Sequence, residues 1–232
     1  MFTLGMRELK VTDIKTGEAL TNFTNIGKND IIIGDRIYGS IPGMRYLKEQ
    51  GSGFVLRLRA RAFSVYNGQG RKISLLGRLK GLKAGESRSF EVWYLHEGKY
   101  VPLRICAMRK DRDSEHAGLK RLKRENQHKK HGDEVSELRS AYNRYIIVAT
   151  SLAEKVSASR VLELYRMRWQ IELVFKRLKS LFRYNEIPQT SGLIKLDQTA
   201  YAWFYGKLLL AALCERLVNE GRFPLEKKRK IN

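Results

Sequence analysis

Between Leu164 and Phe182 the residues Leu164, Met167, Ile171, Val174, Phe175, Leu178, Leu181 and Phe182 recur at helical spacing. At about 100° per residue they form one apolar stripe, while Tyr165, Arg168, Glu172 and Lys179 fall within roughly 60° of one another on a separate face. The stretch YRMRWQIELVFKRLK over 165–179 is therefore expected as a helix that buries one side and presents a phenol, two cations and one carboxylate on another. A carboxylate among cations suits work on phosphates. The competing reading is a solvated basic face with one stray Glu, because charge runs on helices usually face water.

Composition narrows the field independently. The 232 residues carry 45 Lys and Arg against 24 Asp and Glu, a formal charge of +21 with a pI near 10.1. Such a chain requires a polyanionic partner or must tolerate strong self-repulsion, and nucleic acid is the obvious partner. Cys106 and Cys214 are too few for a disulfide framework and have no zinc-type spacing, so both are expected as buried thiols in a reducing compartment. The apolar run Leu208–Leu213 is far short of the ~20 residues of a membrane span. With no secretory pattern at Met1, a soluble cytoplasmic protein is expected.

Along the chain, Arg7–Thr12 alternates like a strand, and Ile31–Ile33 is a short β-branched run of the buried parallel kind. Asp35 then stands just past a strand's C-terminal end, where open α/β sheets place ligand-binding groups. Ser40–Gln50 reads as a short helix stopped by Gly51 and Gly53. From Phe54 the period changes to two: Arg57, Arg59 and Arg61 alternate with Leu56, Leu58, Ala60 and Ala62, predicting a strand with one apolar face and one arginine face that lies along a phosphate backbone. Nine Lys and Arg stand between Phe54 and Phe90, against Glu86 alone. Phe90–Leu95 and Tyr100–Met108 flank a His96–Lys99 turn as a hairpin. Residues 109–131 read as a basic, solvated helix and Arg144–Thr150 as an apolar strand. Ser157 or Ser159 is expected to cap the helix that holds Glu172, and a last helix over Ile194–Asn219 offers Trp203, Phe204, Leu208, Leu209, Leu210 and Leu213 for packing. A basic tail, KKRK at 227–230, follows.

The order Tyr165, two residues, Arg168, three residues, Glu172, six residues, Lys179 resembles the signature of the insertion-sequence-four group of bacterial DDE transposases. Upstream, Asp30-Ile-Ile-Ile-Gly-Asp35-Arg36-Ile-Tyr38-Gly39-Ser40 resembles that family's second motif, an apolar strand ending in Asp-Arg with Tyr-Gly after it. Two motifs in order are far more specific than either alone, and the resemblance runs from about Leu9 to about Leu217.

The resemblance implies an α/β fold, a ribonuclease-H-like mixed sheet with a β-rich insertion between the second Asp and the catalytic Glu. The expected parts are 1–53 and 144–220 as core, 54–143 as basic insertion and helix, and 221–232 as tail. It implies metal-dependent cleavage and transfer of DNA strands in cut-and-paste movement of an insertion sequence. Asp35 and Glu172 would hold Mg²⁺, with Mn²⁺ as substitute, since hard cations take carboxylate oxygens. Tyr165, Arg168 and Lys179 would contact phosphates of transposon-end DNA. Arg36, Arg57, Arg59 and Arg61 are further DNA-binding candidates, and Trp93 is a candidate to stack on an extruded base, with core packing the competing role. Target DNA is the second substrate, and a homodimer on paired ends the expected assembly. The family's first Asp stands on a strand upstream of the segment that Arg7–Asp13 resembles, so the reading is of an N-terminally truncated transposase. The alternatives are a noncatalytic DNA-binding module and an RNA-associated basic protein.

Overall fold

The computed structural model describes residues 18–59, 63–127, 136–182 and 198–219. The strand expected at Arg7–Thr12 and the basic tail lie outside them. The predicted apolar strand forms as β1, Ile31–Gly34, with Asp35 as its exit residue. Helix α1, Ile41–Glu49, follows: the Ser40 hydroxyl accepts from the Gly43 N–H, and Pro42 sits in the first turn, where its missing N–H is not needed. Gly51 at φ 70° ends the helix, and the Ser52 N–H returns to the Leu47 carbonyl at 2.9 Å. This left-handed exit satisfies carbonyls that the last turn would leave open.

Strand β2, Gly53–Arg57, then leads through the short strands β3, Val65–Tyr66, and β4, Lys72–Ile73, to helix α2, Leu75–Leu79. Strands β5, Ser87–His96, and β6, Lys99–Arg109, pair antiparallel along their length. Glu97 and Gly98 join them at φ 46° and 75°, two left-handed residues whose twist matches that of the strands, so the expected hairpin is present. Helices α3, Arg112–Gln127, and α4, Glu137–Asn143, precede strand β7, Tyr145–Thr150. Helix α5, Ala158–Arg166, is capped by Ser157, and α6, Trp169–Phe182, and α7, Gln198–Asn219, complete the described elements.

The seven strands form one mixed sheet in the order β1-β2-β7-β6-β5-β3-β4, with β1 and β2 parallel and the other pairs antiparallel. Period two along β2 divides the core: Phe54 and Leu56 join Met44 and Leu47 of α1 on one side, and Val55 joins Val148, Cys106 and α5 residues Val161, Leu162 and Tyr165 on the other. A mixed α/β sheet of the ribonuclease-H-like kind is the result.

Two expectations change here. The strand with an arginine face is not a free ribbon, because β2 ends at Arg57, lies between β1 and β7, and is covered on both faces. Arg57 is half-buried at its end, Arg59 is exposed just beyond it, and Arg61 lies outside the described residues. Strands β2 to β6, expected within the insertion, hydrogen-bond into the same sheet as β1 and β7.

The second change concerns the single helix predicted through Tyr165–Lys179. It breaks at Met167 and Arg168, whose N–H groups bond to Leu164 and Tyr165 carbonyls three residues back, at 3.0 and 3.1 Å, and close a turn. The helical wheel that placed Tyr165 and Arg168 beside Glu172 and Lys179 does not hold across this turn. The break coincides with a division into two compact units, one ending at Arg168 and the other containing α6 and α7. In α7, Leu208 and Ala211 are buried, but Leu209, Leu210 and Leu213, expected to pack, are exposed; Lys207 Nζ lies 3.3 Å from the Trp203 ring centroid. Cys106 is buried, as expected, and Cys214 is half-buried.

Candidate functional site

Strands β1, β2 and β6 run in one direction, as their pairings with each other and with β7 require. Asp35 and Arg36 therefore leave the sheet at the same end as Arg57 and Arg59, and as Arg109 and Lys110. This is the carboxyl end of the strands, where a crevice collects side chains from several elements.

The loop that carries Asp35 is tightly held. The Tyr38 N–H donates to the Asp35 carbonyl at 3.0 Å, and the Ser40 N–H to the Tyr38 carbonyl at 2.9 Å. Gly39 lies against β2 so closely that a Cβ there would stand 2.1 Å from the Arg57 carbonyl oxygen. The Tyr-Gly of the motif thus has a steric reason: only a hydrogen fits between the loop and the strand. Gly39→Ala should shift this loop away from Arg57 and destabilise the unit by about 1–3 kcal/mol or more, as overpacking does. Chemical denaturation of the two proteins checks it, and equal midpoints would refute the contact.

Tyr165 is buried, 6% exposed, among Val55, Cys106 and Val148. Only its tip is polar, and its hydroxyl lies 3.5 Å from Asp35 Oδ1. The Arg168 guanidinium sits 5.8 Å from the Tyr165 ring centroid, within cation–π range. The structure thus gathers Asp35, Tyr165 and Arg168, with Tyr165 steadying the half-buried carboxylate.

Positive charge around Asp35 is poorly compensated. Among the described residues, no hydrogen bond or ion pair joins the side chains of Arg36, Arg57 or Arg59 to another group. Desolvation, followed by Arg57, pushes Arg36 below the usual arginine range, against the opposing pull of Asp35. Lys110 is pushed down to about 8, first by burial and then by Arg57 and Arg36, while its Nζ reaches Asn143 Oδ1 at 3.4 Å.

The sign of this shift makes a prediction. Below pH 8 the folded unit carries Lys110 charged at full cost; between about 8 and the ordinary lysine value of 10.5 the unfolded chain holds the proton more tightly, so the cost fades as pH rises. Lys110→Met should therefore melt above the native protein at pH 7, with the gap closing towards pH 10. Calorimetric scans across that range test it, and a gap that widens with pH would refute it.

Of the other predicted residues, Trp93 is placed apart from this cluster, Glu172 and Lys179 belong to the other compact unit, and Arg61 lies outside the described residues. Trp93 is half-buried on β5, opposite Tyr66 and Pro102 and against Gly68, towards the hairpin end of the sheet and away from the end that bears Asp35. Glu172 is exposed in the first turn of α6, where the helix dipole favours a carboxylate. Lys179 is also on α6, and its side chain lies outside the described residues. Lys110 was not expected, because nothing local in the sequence shows that β6 ends at the same end of the sheet as β1.

Asp35 fits Mg²⁺ by donor type, a half-buried carboxylate at a sheet end. Among the described residues no three His, Cys, Asp or Glu group together. No described helix is long and apolar enough to cross a membrane.

Comparison with known proteins agrees with the geometry. Residues 8–189 match the family described as Transposase DDE domain. The chain is 29% identical over 223 residues to the transposase for insertion sequence element IS421 of Escherichia coli, across 93% of this chain and 58% of that protein. It is 27% identical over 219 residues to the transposase for insertion sequence element IS231F of Bacillus thuringiensis subsp. israelensis, across 87% of this chain and 44% of that protein. A shorter match of 79 residues, 33% identical, joins it to the transposase for insertion sequence element IS1151 of Clostridium perfringens. The chain therefore spans little more than half the length of the Escherichia coli relative. With a match that runs through the Asp35 loop, β2 and Glu172, this chain belongs to the transposase DDE domain family.

Proposed function

We propose that this chain forms part of a DNA transposase of the insertion-sequence-four group, which cuts an insertion sequence at its ends and joins it to target DNA in a bacterial cytoplasm. The observation that carries the reading is Asp35, held at the carboxyl end of a strand near Arg36 and under the hydroxyl of Tyr165, in a chain of the transposase DDE family.

In this reading Asp35 and Glu172 are the carboxylates that hold Mg²⁺, or Mn²⁺ in its place. When bound, the metal activates the attacking oxygen and stabilises the leaving oxygen of the phosphodiester. Tyr165 orients Asp35 through its hydroxyl and Arg168 lies over the same ring. Arg36, Arg57 and Arg59 contact the DNA backbone at the sheet end, with Arg61 continuing the series and Lys179 adding a phosphate contact from α6. Trp93, distant from that end, stacks on DNA only if the strand extends across the hairpin. A homodimer on paired ends is the assembly proposed.

The test is a supercoiled plasmid carrying the element's ends, incubated with Mg²⁺ and a protein that holds this chain at the length of its relatives. Nicked, linear and excised products support the reading. Steeply salt-dependent binding without strand breakage in Mg²⁺ or Mn²⁺ would replace it by the noncatalytic DNA-binding alternative.

A further inference from the structure

We propose that Arg104 is a positioning residue for the candidate site: from β6 it fixes the loop that leads into α5, and through that helix it sets the distance between the Tyr165 hydroxyl and Asp35. The inference rests on the reading of Tyr165 as the group that orients Asp35, and it names what holds Tyr165 in place.

Arg104 stands two residues before Cys106 on β6, so both face the side of the sheet that α5 covers. Its guanidinium is half-buried and spread over the loop between β7 and α5. Nη1 donates to the Leu152 carbonyl at 3.1 Å and to the Ala153 carbonyl at 2.8 Å, Nη2 to the Val156 carbonyl at 2.7 Å, and Nε to the Ser89 hydroxyl at 2.8 Å. Residues 151–156 are neither helix nor strand, so these carbonyls have no ladder to join. A planar fork with donors on three nitrogens gathers all of them at once, which the single ammonium of a lysine does not.

The loop is tied at its ends as well. The Phe54 N–H donates to the Ser151 hydroxyl at 2.9 Å, and Ser157 caps α5 by accepting from the Arg160 N–H at 3.2 Å. Between these ends Arg104 holds the loop to β6, and Leu152 and Val156 pack with Val161, Leu162 and Tyr165 of α5. Tyr165 lies only about two turns along α5 from Ser157, so the helix passes a slip of the loop to its hydroxyl with little loss. That hydroxyl is 3.5 Å from Asp35 Oδ1, at the outer limit of a hydrogen bond. A small further separation abolishes the contact, which makes it sensitive to where the loop is held.

The experiment is fluorine NMR of the chain labelled with fluorotyrosine, the Tyr165 signal being the one lost in Tyr165→Phe. In the native chain Asp35→Asn should move this signal. Arg104→Lys keeps the positive charge and loses the fork; by circular dichroism it should remain folded, and its Tyr165 signal should no longer respond to Asp35→Asn. A merely stabilising role lowers Tm and leaves the response in place, so a response equal to the native one would overturn the proposal. A native Tyr165 signal that Asp35→Asn leaves unmoved would do the same. If Arg104→Lys does not fold, Ser89→Ala carries the test, since it removes one exposed partner of the guanidinium. A reduced response is then expected, and an unchanged one overturns the proposal. In a protein of the relatives' length, Arg104→Lys should lower kcat for strand cleavage about 10²-fold, the scale of a misplacement by about 1 Å, with KM for DNA unchanged. A loss confined to KM would count against positioning. A protein that cuts no DNA would remove the transposase reading and leave the fluorine signal to decide the role of Arg104.

Discussion

Glu172→Gln and Asp35→Asn should each lower Mg²⁺-dependent strand cleavage by at least about 10³-fold, an increase of about 4 kcal/mol in the barrier. Each substitution keeps the shape of the side chain and replaces a charged oxygen by an amide, which a hard divalent ion binds poorly. Affinity for DNA in metal-free buffer should be unchanged or slightly higher, since each removes a negative charge from a strongly basic protein. Gel analysis of cleavage beside anisotropy of binding separates the two effects. Cleavage within tenfold of the native rate in Glu172→Gln would remove Glu172 from the metal site, and parallel loss of binding would make either residue structural.

The largest effect on stability is expected at Phe54. Its side chain is 0% exposed in the interior strand β2, in the cluster that includes Met44, Leu47 and Ile105. Its backbone is fixed separately, by the Ser151 hydroxyl accepting from its N–H at 2.9 Å and by its carbonyl accepting from the Thr150 hydroxyl at 2.8 Å. Phe54→Ala therefore keeps the strand's hydrogen bonds and loses a ring's volume from the core, which costs about 3–5 kcal/mol. Against a total of about 5–15 kcal/mol for a typical domain this is a large share, and a fall in Tm of about 10 °C or more follows. A shift below about 2 °C would mean that Phe54 is not part of a packed core.

Much of the local structure is legible in the chain. Asp35 follows an apolar β-branched run, Ser40 and Ser157 precede helices that they cap, and the His96–Lys99 turn joins two alternating runs. These features depend on residues a few positions apart, so a reading of neighbours recovers them. The arginine strand misled because alternation reports which residues share a face, and says nothing of whether a second layer covers that face. With α1 on one side and α5 on the other, β2 is a core strand that delivers Arg57 and Arg59 to a crevice. The break at Met167–Arg168 was invisible for a related reason. Both residues continue the helical pattern, and only the two i→i−3 bonds and the boundary between compact units end it there.

The sequence by itself determined the family, the strong positive charge and the residues that close each turn, because these follow from identity and short-range spacing. The tertiary structure decided which strand ends meet. That β6 returns Lys110 to the sheet end that bears Asp35, that Tyr165 is buried with its hydroxyl towards that carboxylate, and that residues of α3 and α4 line one cavity with Arg36, Arg57 and Arg59 all depend on sheet order and strand direction. Such contacts join residues far apart in the chain. They are chosen by the burial of the whole apolar surface, which no single stretch of sequence encodes.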